Sequence, residues 1–590
     1  MHGSTPQKMV KTGLSKSLIT RINLVFLVVF LVVYATVLLP PLSSDYFENA
    51  GSLVLLARMS SSQGKTQSNF KMKAVMEERR GNPIWQKSKG ANKIEVPRFF
   101  DELGKEMKIG MVNVEEDDVS EWSRHGETTR VYFERVSEFL KWTDLFPEWI
   151  DEEEEKSVPT CPEIPMAEYE EYGSMDMIVA KLPCRYPEEG WGRDVFRLQV
   201  HLIVANLAAK KGKKDWRGKT KVVFWSKCRP MLELFPCDHL VKREGKWWHF
   251  EPDVKRLQHK VSLPVGSCKL ALPLWQQGIG KVEKSVRSIG RKKGVAYATV
   301  LHSSEAYVCG AITLAQSLLR TGTKRDLILL TDKSISVGTR VALSEAGWKI
   351  RVINRIRNPK GEKGSYNEYN YSKLRLWQLT EYEKVIFIDS DIIVLRKLDT
   401  LFELPQLSAT GNDQWMFNSG IMVVEPSNCT FRMLMRQREE IVSYNGGDQG
   451  FLNEVFVWWH RVPRRVNFLK NFWENTTAEA VLKNGLMGAE PAAVYAIHYL
   501  GWKPWHCFRD YDCNWDAPEQ RVYASDVAHR TWWNLHDAMD EAFQRFCRLT
   551  KRRWIELNSQ RRKAGKMGFS DGHWKINITD PRRFPSLFMD

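Results

Sequence analysis

The chain has 590 residues, 43% of them hydrophobic, with 23 tryptophans and a formal charge of +16 at pH 7. That length is too great for one core of ordinary size, and that apolar content excludes a disordered chain, so two or more folded units are expected. The positive charge is spread along the whole length without any nucleic-acid-binding module, which argues for anionic partners such as nucleotide sugars or acidic lipid headgroups and against nucleic acid.

Residues 22–44 carry no charge, and Leu24 to Leu39 is almost wholly apolar. About 20 such residues cross a bilayer. Lys8, Lys11, Lys16 and Arg21 precede the run and Asp45 and Glu48 follow it, which predicts a cytosolic tail over 1–21, a signal anchor over 22–42 and a luminal remainder. A cleaved signal peptide is the rival reading; the run is long for one and no Ala-x-Ala site closes it. Residues 43–125 mix Ser, Gln, Lys, Gly and Glu with little apolar period and read as a stem.

Residues 126–275 form the next expected unit. Arg130 to Trp149 has a helical apolar pattern, ended by the acidic run Asp151 to Glu155. Asp176 to Pro183 and Lys221 to Trp225 read as strands, and Asp194 to Ala209 as an amphipathic helix. Substrate docking, partner contact and scaffolding are all open to this unit. Residues 276–293 are basic and suit a linker.

From residue 294 strands alternate with helices. Val295 to Leu301, Asp326 to Thr331 and Trp348 to Ile353 are strands; Tyr307 to Leu319, Thr339 to Ala346 and Tyr371 to Leu379 are helical. This order implies a doubly wound, mostly parallel sheet over 294–525, followed by a helical, tryptophan-rich tail over 526–590. The next strand, Val-Ile-Phe-Ile, ends in Asp389-Ser390-Asp391. Ligands bind beyond the carboxyl ends of such strands, and i and i+2 side chains of extended chain point the same way. Two carboxylates so placed suit a divalent cation, although a solvated turn has the same short pattern.

Three further clusters follow. Asn418 stands in Phe-Asn-Ser-Gly before a buried strand. Two glycines precede Asp448 and Gln449, which open a helix, where backbone donors face a ligand. His498, Gly501 and Lys503 lie in His-Tyr-Leu-Gly-Trp-Lys-Pro-Trp. No Gly-x-Gly-x-x-Gly or P-loop occurs, which sets aside dinucleotide and P-loop readings. Ten cysteines without a Cys-x2-Cys pair argue against zinc and, in a lumen, for disulfides, most readily within Cys161 to Cys268 and between Cys507 and Cys513. Of four Asn-x-Ser/Thr sequons, at Asn370, Asn428, Asn475 and Asn577, Asn370 is expected to stay bare.

Taken in order, Tyr-Ser-Lys-Leu-Arg-Leu-Trp, Phe-Ile-Asp-Ser-Asp, Phe-Asn-Ser-Gly, Gly-Gly-Asp-Gln-Gly and His-Tyr-Leu-Gly-Trp-Lys-Pro-Trp resemble glycosyltransferase family 8, the glycogenin-like enzymes. The anchor, the cysteine-rich front and the tryptophan-rich tail resemble its plant branch, which includes Golgi xylan α-glucuronosyltransferases. The resemblance implies a GT-A (Rossmann-like) fold, a UDP-sugar donor, Mn2+ and retention of configuration. It implies Asp389, Asp391 and His498 as metal ligands and Leu301, Ser303 and Tyr307 as the uridine loop. It implies Lys373, Ser390, Asn418, Ser419, Gly420, Asp448 and Gln449 around the donor sugar and phosphate, and Gly501 and Lys503 as the diphosphate clamp. Asp448, Gln449 and Lys373 are the catalytic candidates. For a glucuronate carboxylate, Arg375 and Lys373 are the available cations.

The reading that follows is a Golgi-membrane enzyme moving glucuronate from UDP-glucuronate to xylan through an α-1,2 linkage, with room for a complex with other Golgi transferases. A related transferase using UDP-glucose or UDP-galactose, including a glycogenin-like primer, and an inactive scaffold are the alternatives.

Overall fold

The computed structural model describes residues 97, 99, 107–147, 152, 161–271, 294–413 and 416–582. The predicted tail, the anchor, the stem up to residue 96 and the linker lie outside the described residues. Among those described, no helix is long and apolar enough to cross a membrane.

The front half carries β1 (Met107–Val112), β2 (Gly126–Val131), β3 (Met177–Lys181), β4 (Lys221–Trp225), β5 (Leu240–Glu244) and β6 (Trp247–Phe250), in the order β2-β1-β3-β4-β6-β5. The first four are parallel, and β6 and β5 return as an antiparallel hairpin. β1 and α1 (Glu116–Trp122) fall inside the stretch that reads as a stem. β1 buries every residue except Lys108, but six residues surrounded by polar chain give too short a period to notice. Of the stretch predicted helical, residues 130–147 are described and are not one helix: they finish β2 and run on irregularly, with one helical turn at Trp142–Leu145. Their apolar residues reach the core from extended chain at a spacing that mimics a helical one. α2 (Val195–Lys211) is the predicted helix. The Asp194 carboxylate caps it by accepting from Arg197 N at 2.7 Å, and Lys210 and Lys211 close it. α3 (Val254–Val261) follows.

The second half carries β7 (Gly294–Leu301), β8 (Asp326–Thr331), β9 (Lys349–Val352), β10 (Tyr382–Ile388), β11 (Ile392–Val394), β12 (Ser408–Asp413), β13 (Met416–Val424), β14 (His460–Val462), β15 (Phe468–Leu469) and β16 (Ala496–His498). Seven of these form one sheet in the order β14-β12-β13-β10-β7-β8-β9, and β11, β16 and β15 form a small second one. β10, β7, β8 and β9 are parallel, as predicted, with α4 (Val308–Arg320) and α5 (Val337–Glu345) as crossovers. The sheet is nevertheless mixed, because β13 runs antiparallel to both β10 and β12. The predicted helix at 371–379 belongs to a 3-10 helix, Tyr366–Gln378. α6 (Asn428–Gln437), α7 (Asp448–Val455), α8 (Asp526–Asp537) and α9 (Lys551–Met567) complete the framework.

The halves share a core. Leu198, Phe224 and Phe235 of the front half pack in one cluster with Leu374, Trp377, Phe417, Trp458 and Trp459 of the second. All ten cysteines are paired: Cys161–Cys268, Cys184–Cys228, Cys237–Cys429, Cys309–Cys547 and Cys507–Cys513. Cys237–Cys429 ties the halves together. Cys309–Cys547 anchors the C-terminal segment, whose Trp532 and Trp533 are buried against the second core. Residues 526–582 are thus part of the body. Asn370 is buried, while Asn428, Asn475 and Asn577 are exposed.

Candidate active site

The site is built at the carboxyl edge of β10. Four apolar residues bury the end of that strand, and the chain then turns through Asp389, Ser390 and Asp391 into β11. Asp389 N donates to Gly420 O on β13 at 2.8 Å, and Tyr499 N donates to Asp391 O at 3.0 Å. The β11–β16 pairing sets Ile392 opposite His498. Two distant parts of the chain, the turn between β10 and β11 and the end of β16, therefore bring Asp389, Asp391 and His498 together. One ligand atom from each lies within 4.8 Å of the others.

Two ammonium groups flank this trio. Lys503 Nζ is 2.6 Å from Asp391 Oδ2, and Lys373 Nζ is 3.4 Å from Asp389 Oδ1 and 2.5 Å from Asp448 Oδ2. Burial pushes the Asp389 carboxyl up to about 6, against the pull of Lys373. Burial opposes ionisation of Asp391 too, yet Lys503 and His498 hold it well below the usual carboxylate range. Burial also works against both ammoniums, but their carboxylate partners keep Lys373 and Lys503 above the ordinary lysine value. The site is an alternating set of partly buried charges, each held by an opposite partner.

The other predicted residues fall around it. Ser419 Oγ accepts from Lys373 Nζ at 3.3 Å and donates to Asp448 Oδ2 at 3.2 Å, and Ser419 N donates to Gln449 Oε1 at 3.1 Å. Asp448 and Gln449 open α7 directly after Gly447, as the sequence suggests. Asn418 Oδ1 accepts from Gly420 N at 2.9 Å and from Asn467 Nδ2 at 2.9 Å. Gly420 lies against the His498 ring: a Cβ there would sit 2.6 Å from its Cε1 and 2.8 Å from its Nδ1. Gly501 has φ +74° and allows the turn that returns Lys503 to Asp391. Ser390 is buried in the turn. Tyr307 stacks edge-on to Trp505 and lies close enough to Lys503 and both aspartates to feel their charge.

Leu301 ends β7 and Ser303 lies in the loop beyond it. Ser303 (φ +68°) donates its N–H to Asp332 Oδ1 at 3.4 Å, and Arg355 donates to its hydroxyl at 3.3 Å. Arg375 is engaged outside the charged cluster. Its guanidinium donates to Asn354 O and Gln378 Oε1 and covers Phe431, and among the described residues no hydrogen bond or ion pair joins it to the charged cluster. A helical i+2 offset from Lys373 explains this, since such residues do not share a face.

Sequence reasoning missed Asp332, Arg355 and His302. Asp332 follows β8 as Asp389 follows β10, so the rule that singled out Asp389 also applies to it. Its carboxylate pairs with Arg355 at 3.0 Å. His302, lowered by burial, feels Asp332, Asp448, Arg355 and Lys373, and so links the two parts of the site. A second omission is the support beneath α7. Arg193, just before α2, donates to both Glu454 carboxylate oxygens at 3.1 and 3.0 Å, and Trp458 N donates to Glu233 at 2.9 Å.

The trio fits a divalent cation. Two carboxylates and an imidazole are ligands for a borderline ion such as manganese. His498 Nδ1 is buried with no hydrogen-bond partner among the described residues, and Nε2 faces Asp391 Oδ1 at 3.4 Å. No other group of this kind lies among the described residues.

Residues 82–268 match the GUX1-5 N-terminal domain, and residues 298–508 match glycosyl transferase family 8. UDP-glucuronate:xylan alpha-glucuronosyltransferase 2 of Arabidopsis thaliana is 62% identical over 587 residues, 97% of this chain and 98% of that protein. UDP-glucuronate:xylan alpha-glucuronosyltransferase 1 of the same plant is 46% identical, covering 85% of this chain and 76% of that one. A solved structure of the galactosyltransferase LgtC with donor and acceptor sugar analogs aligns at TM-score 0.31 and 16% identity, over 42% of this chain and 99% of that chain.

Proposed function

The chain belongs to glycosyltransferase family 8, in its xylan α-glucuronosyltransferase branch, and from that premise we propose that it transfers glucuronate from UDP-glucuronate to the xylan backbone with retention of configuration. The observation that carries this is an identity of 62% running through 97% of the chain, front half included, together with an intact charged site. An inactive scaffold has no need of five closely paired charges at one sheet edge.

The reaction breaks the bond between the anomeric carbon and the diphosphate oxygen and forms one to a xylose hydroxyl, whose proton passes to the leaving phosphate. Asp389, Asp391 and His498 would hold the cation, which when bound offsets negative charge on the diphosphate. Lys503, paired with Asp391, adds a fixed positive charge on the same side, the electrostatic contribution that usually dominates such transfers. Asp448, tied to Lys373 and Ser419, presents a preorganised carboxylate to a sugar carbon that becomes cationic. Gln449 Oε1 is fixed by Ser419 N and its Nε2 by Tyr444 Oη at 2.7 Å, so both α7 side chains are set before the donor arrives. The resemblance assigns uridine to Leu301, Ser303 and Tyr307, and the contacts of Ser303 with Asp332 and Arg355 support adding those two side chains to that part of the site. With Arg375 engaged elsewhere, Lys373 is the cation best placed for the glucuronate carboxylate.

We assign the chain to the Golgi membrane, as a type II protein with a luminal catalytic half. The charge-free run at 22–44 behind four basic residues supports this, and five disulfides suit an oxidising lumen. The test is transfer by purified protein to xylohexaose from a panel of UDP-sugars with Mn2+. UDP-glucuronate should give by far the highest kcat/KM, and Asp391→Asn should abolish transfer. A preference for UDP-glucose, or near-normal turnover of Asp391→Asn at limiting Mn2+, would reject the reading.

A further inference from the structure

The front half has its own ligand-binding edge. Where β1, β3 and β4 end, a cavity of about 390 Å³ opens, at the side of a parallel sheet where α/β proteins take ligands and in the size range of small-molecule sites. Trp225, the last residue of β4, and Phe196, in the first turn of α2, supply its aromatic surface, and Lys181, Lys227 and Lys246 supply its charge. Lys181 Nζ and Lys246 Nζ stand 5.6 and 5.3 Å from the Trp225 ring centroid. Lys227 and Lys246 are exposed, and neither forms an ion pair among the described residues. Lys181 shares Asp118 at 3.8 Å. Glu115 is the lone carboxylate of the lining, against three ammonium groups.

The rim is fixed in advance. The Cys184–Cys228 disulfide ties the segment after β3 to the segment after β4. The Asn113 carboxamide donates to Lys181 O at 2.7 Å, and Ser226 N donates to Lys246 O at 2.8 Å. The segments after β1, β3 and β4 and the β5–β6 hairpin are thus locked around one opening, as a preorganised site requires.

A partly open indole flanked by ammonium groups offers a flat apolar face for a pyranose ring and neutralisation for a carboxylate. A neutral glycan has no use for three lysines, and a free inorganic anion has no use for the indole. The carboxylate–imidazole set that would pair a cation with a diphosphate is also lacking here, among the described residues. We propose that this cavity is a second, non-catalytic saccharide site that holds a uronate-bearing stretch of polysaccharide. The occupant to which we commit is glucuronate-decorated xylan, and that identification rests on the function proposed above. The chain would then hold product already made while the catalytic site works on another part of the same polymer.

The test is calorimetric titration of the full-length chain carrying Asp391→Asn, which prevents turnover. The probes are a glucuronate-decorated xylo-oligosaccharide, the undecorated oligosaccharide of equal length, and UDP-glucuronate. The decorated probe should bind at least about tenfold more tightly than the undecorated one. Lys227→Glu/Lys246→Glu should remove that preference, and Lys227→Arg/Lys246→Arg should keep it. In the otherwise native chain, Lys227→Glu/Lys246→Glu should leave transfer to xylohexaose unchanged and slow addition to long, partly decorated xylan. Equal binding of both oligosaccharides, or a preference that survives the glutamate pair, overturns the proposal. So does displacement of the decorated probe by UDP-glucuronate in proportion to cavity occupancy, which would make this a nucleotide-sugar site. Loss of transfer from UDP-glucuronate by the native chain would instead refute the catalytic reading and leave the oligosaccharide comparison to decide this one.

Discussion

Gly420→Ala adds one methyl group to β13 and is expected to disable the enzyme without unfolding it. The new Cβ would stand 2.6 Å from His498 Cε1 and 2.8 Å from Nδ1, whereas unstrained carbon contacts lie at roughly 3.5–4.0 Å. The imidazole must therefore retreat by about 1 Å. Its backbone cannot follow, because β16 is paired on both sides, with β11 and β15. A displacement of about 1 Å in a catalytic constellation costs roughly 10²-fold in rate, which is about 2.7 kcal/mol at 1.36 kcal/mol per tenfold. The assay is kcat/KM for glucuronate transfer to xylohexaose across a Mn2+ titration, with Tm alongside. The half-saturating Mn2+ concentration should rise and added Mn2+ should recover part of the loss. The methyl would also approach Asn418 Oδ1, at 2.8 Å, so the cycle with His498→Ala is needed. In that background the ring is gone, and Gly420→Ala should cost almost nothing more. A variant within threefold of native, or an equal penalty with and without His498, would refute the reasoning.

Lys503→Met should lower kcat by about 10²–10³-fold, because it removes a charge aimed at the leaving group, and should lower Tm as well, because Asp391 loses its ammonium partner; a change confined to KM would contradict the catalytic role. Asp516, held by Tyr511 Oη at 2.5 Å, is pushed up to about 6, mainly by burial. Its protonated form is the one the fold favours, so the stability it provides below about 4 is lost as pH rises through 6. Asp516→Asn should therefore raise Tm at pH 7.5 and leave it unchanged at pH 4, and an equal shift at both values would refute the assignment. The disulfide Cys237–Cys429 closes a loop with a sequence separation of 192. Chain-entropy arithmetic gives it at most about 5 kcal/mol, so Cys237→Ser/Cys429→Ser should move the guanidinium midpoint down clearly, and an unchanged midpoint would show the loop to be constrained by other means.

The second half was largely legible in the sequence because its signals are local. Val385 to Ile388 announces a buried strand by composition, and the i, i+2 aspartates announce a shared side by geometry. The helix read from Thr339 begins two residues earlier, at Val337, behind a Ser336 cap that accepts from Thr339 N. What escaped was set by tertiary context. β1 is only six residues long and shows its apolar face only when paired with β2 and β3. The antiparallel turn of β13 cannot be read from a strand buried on both faces. Arg375, by contrast, stands two positions from Lys373, and residues so spaced diverge in any helix, so its separation from the cluster followed from the helix predicted at 371–379. Trp532 and Trp533 looked like a tail because nothing in their own segment reveals that Cys309 would tether it through Cys547.

The clamp of Arg193 on Glu454 means that the helix presenting Asp448 and Gln449 leans on a wall contributed by the other half of the molecule. Cutting the chain at residue 294 would strip that wall away and expose Trp377, Trp458 and Trp459 to water, so the second half expressed alone should be unstable. Chimeras between relatives must accordingly travel with both faces of this seam, and a front half borrowed without its matching Glu454 side should misalign chemistry it never touches.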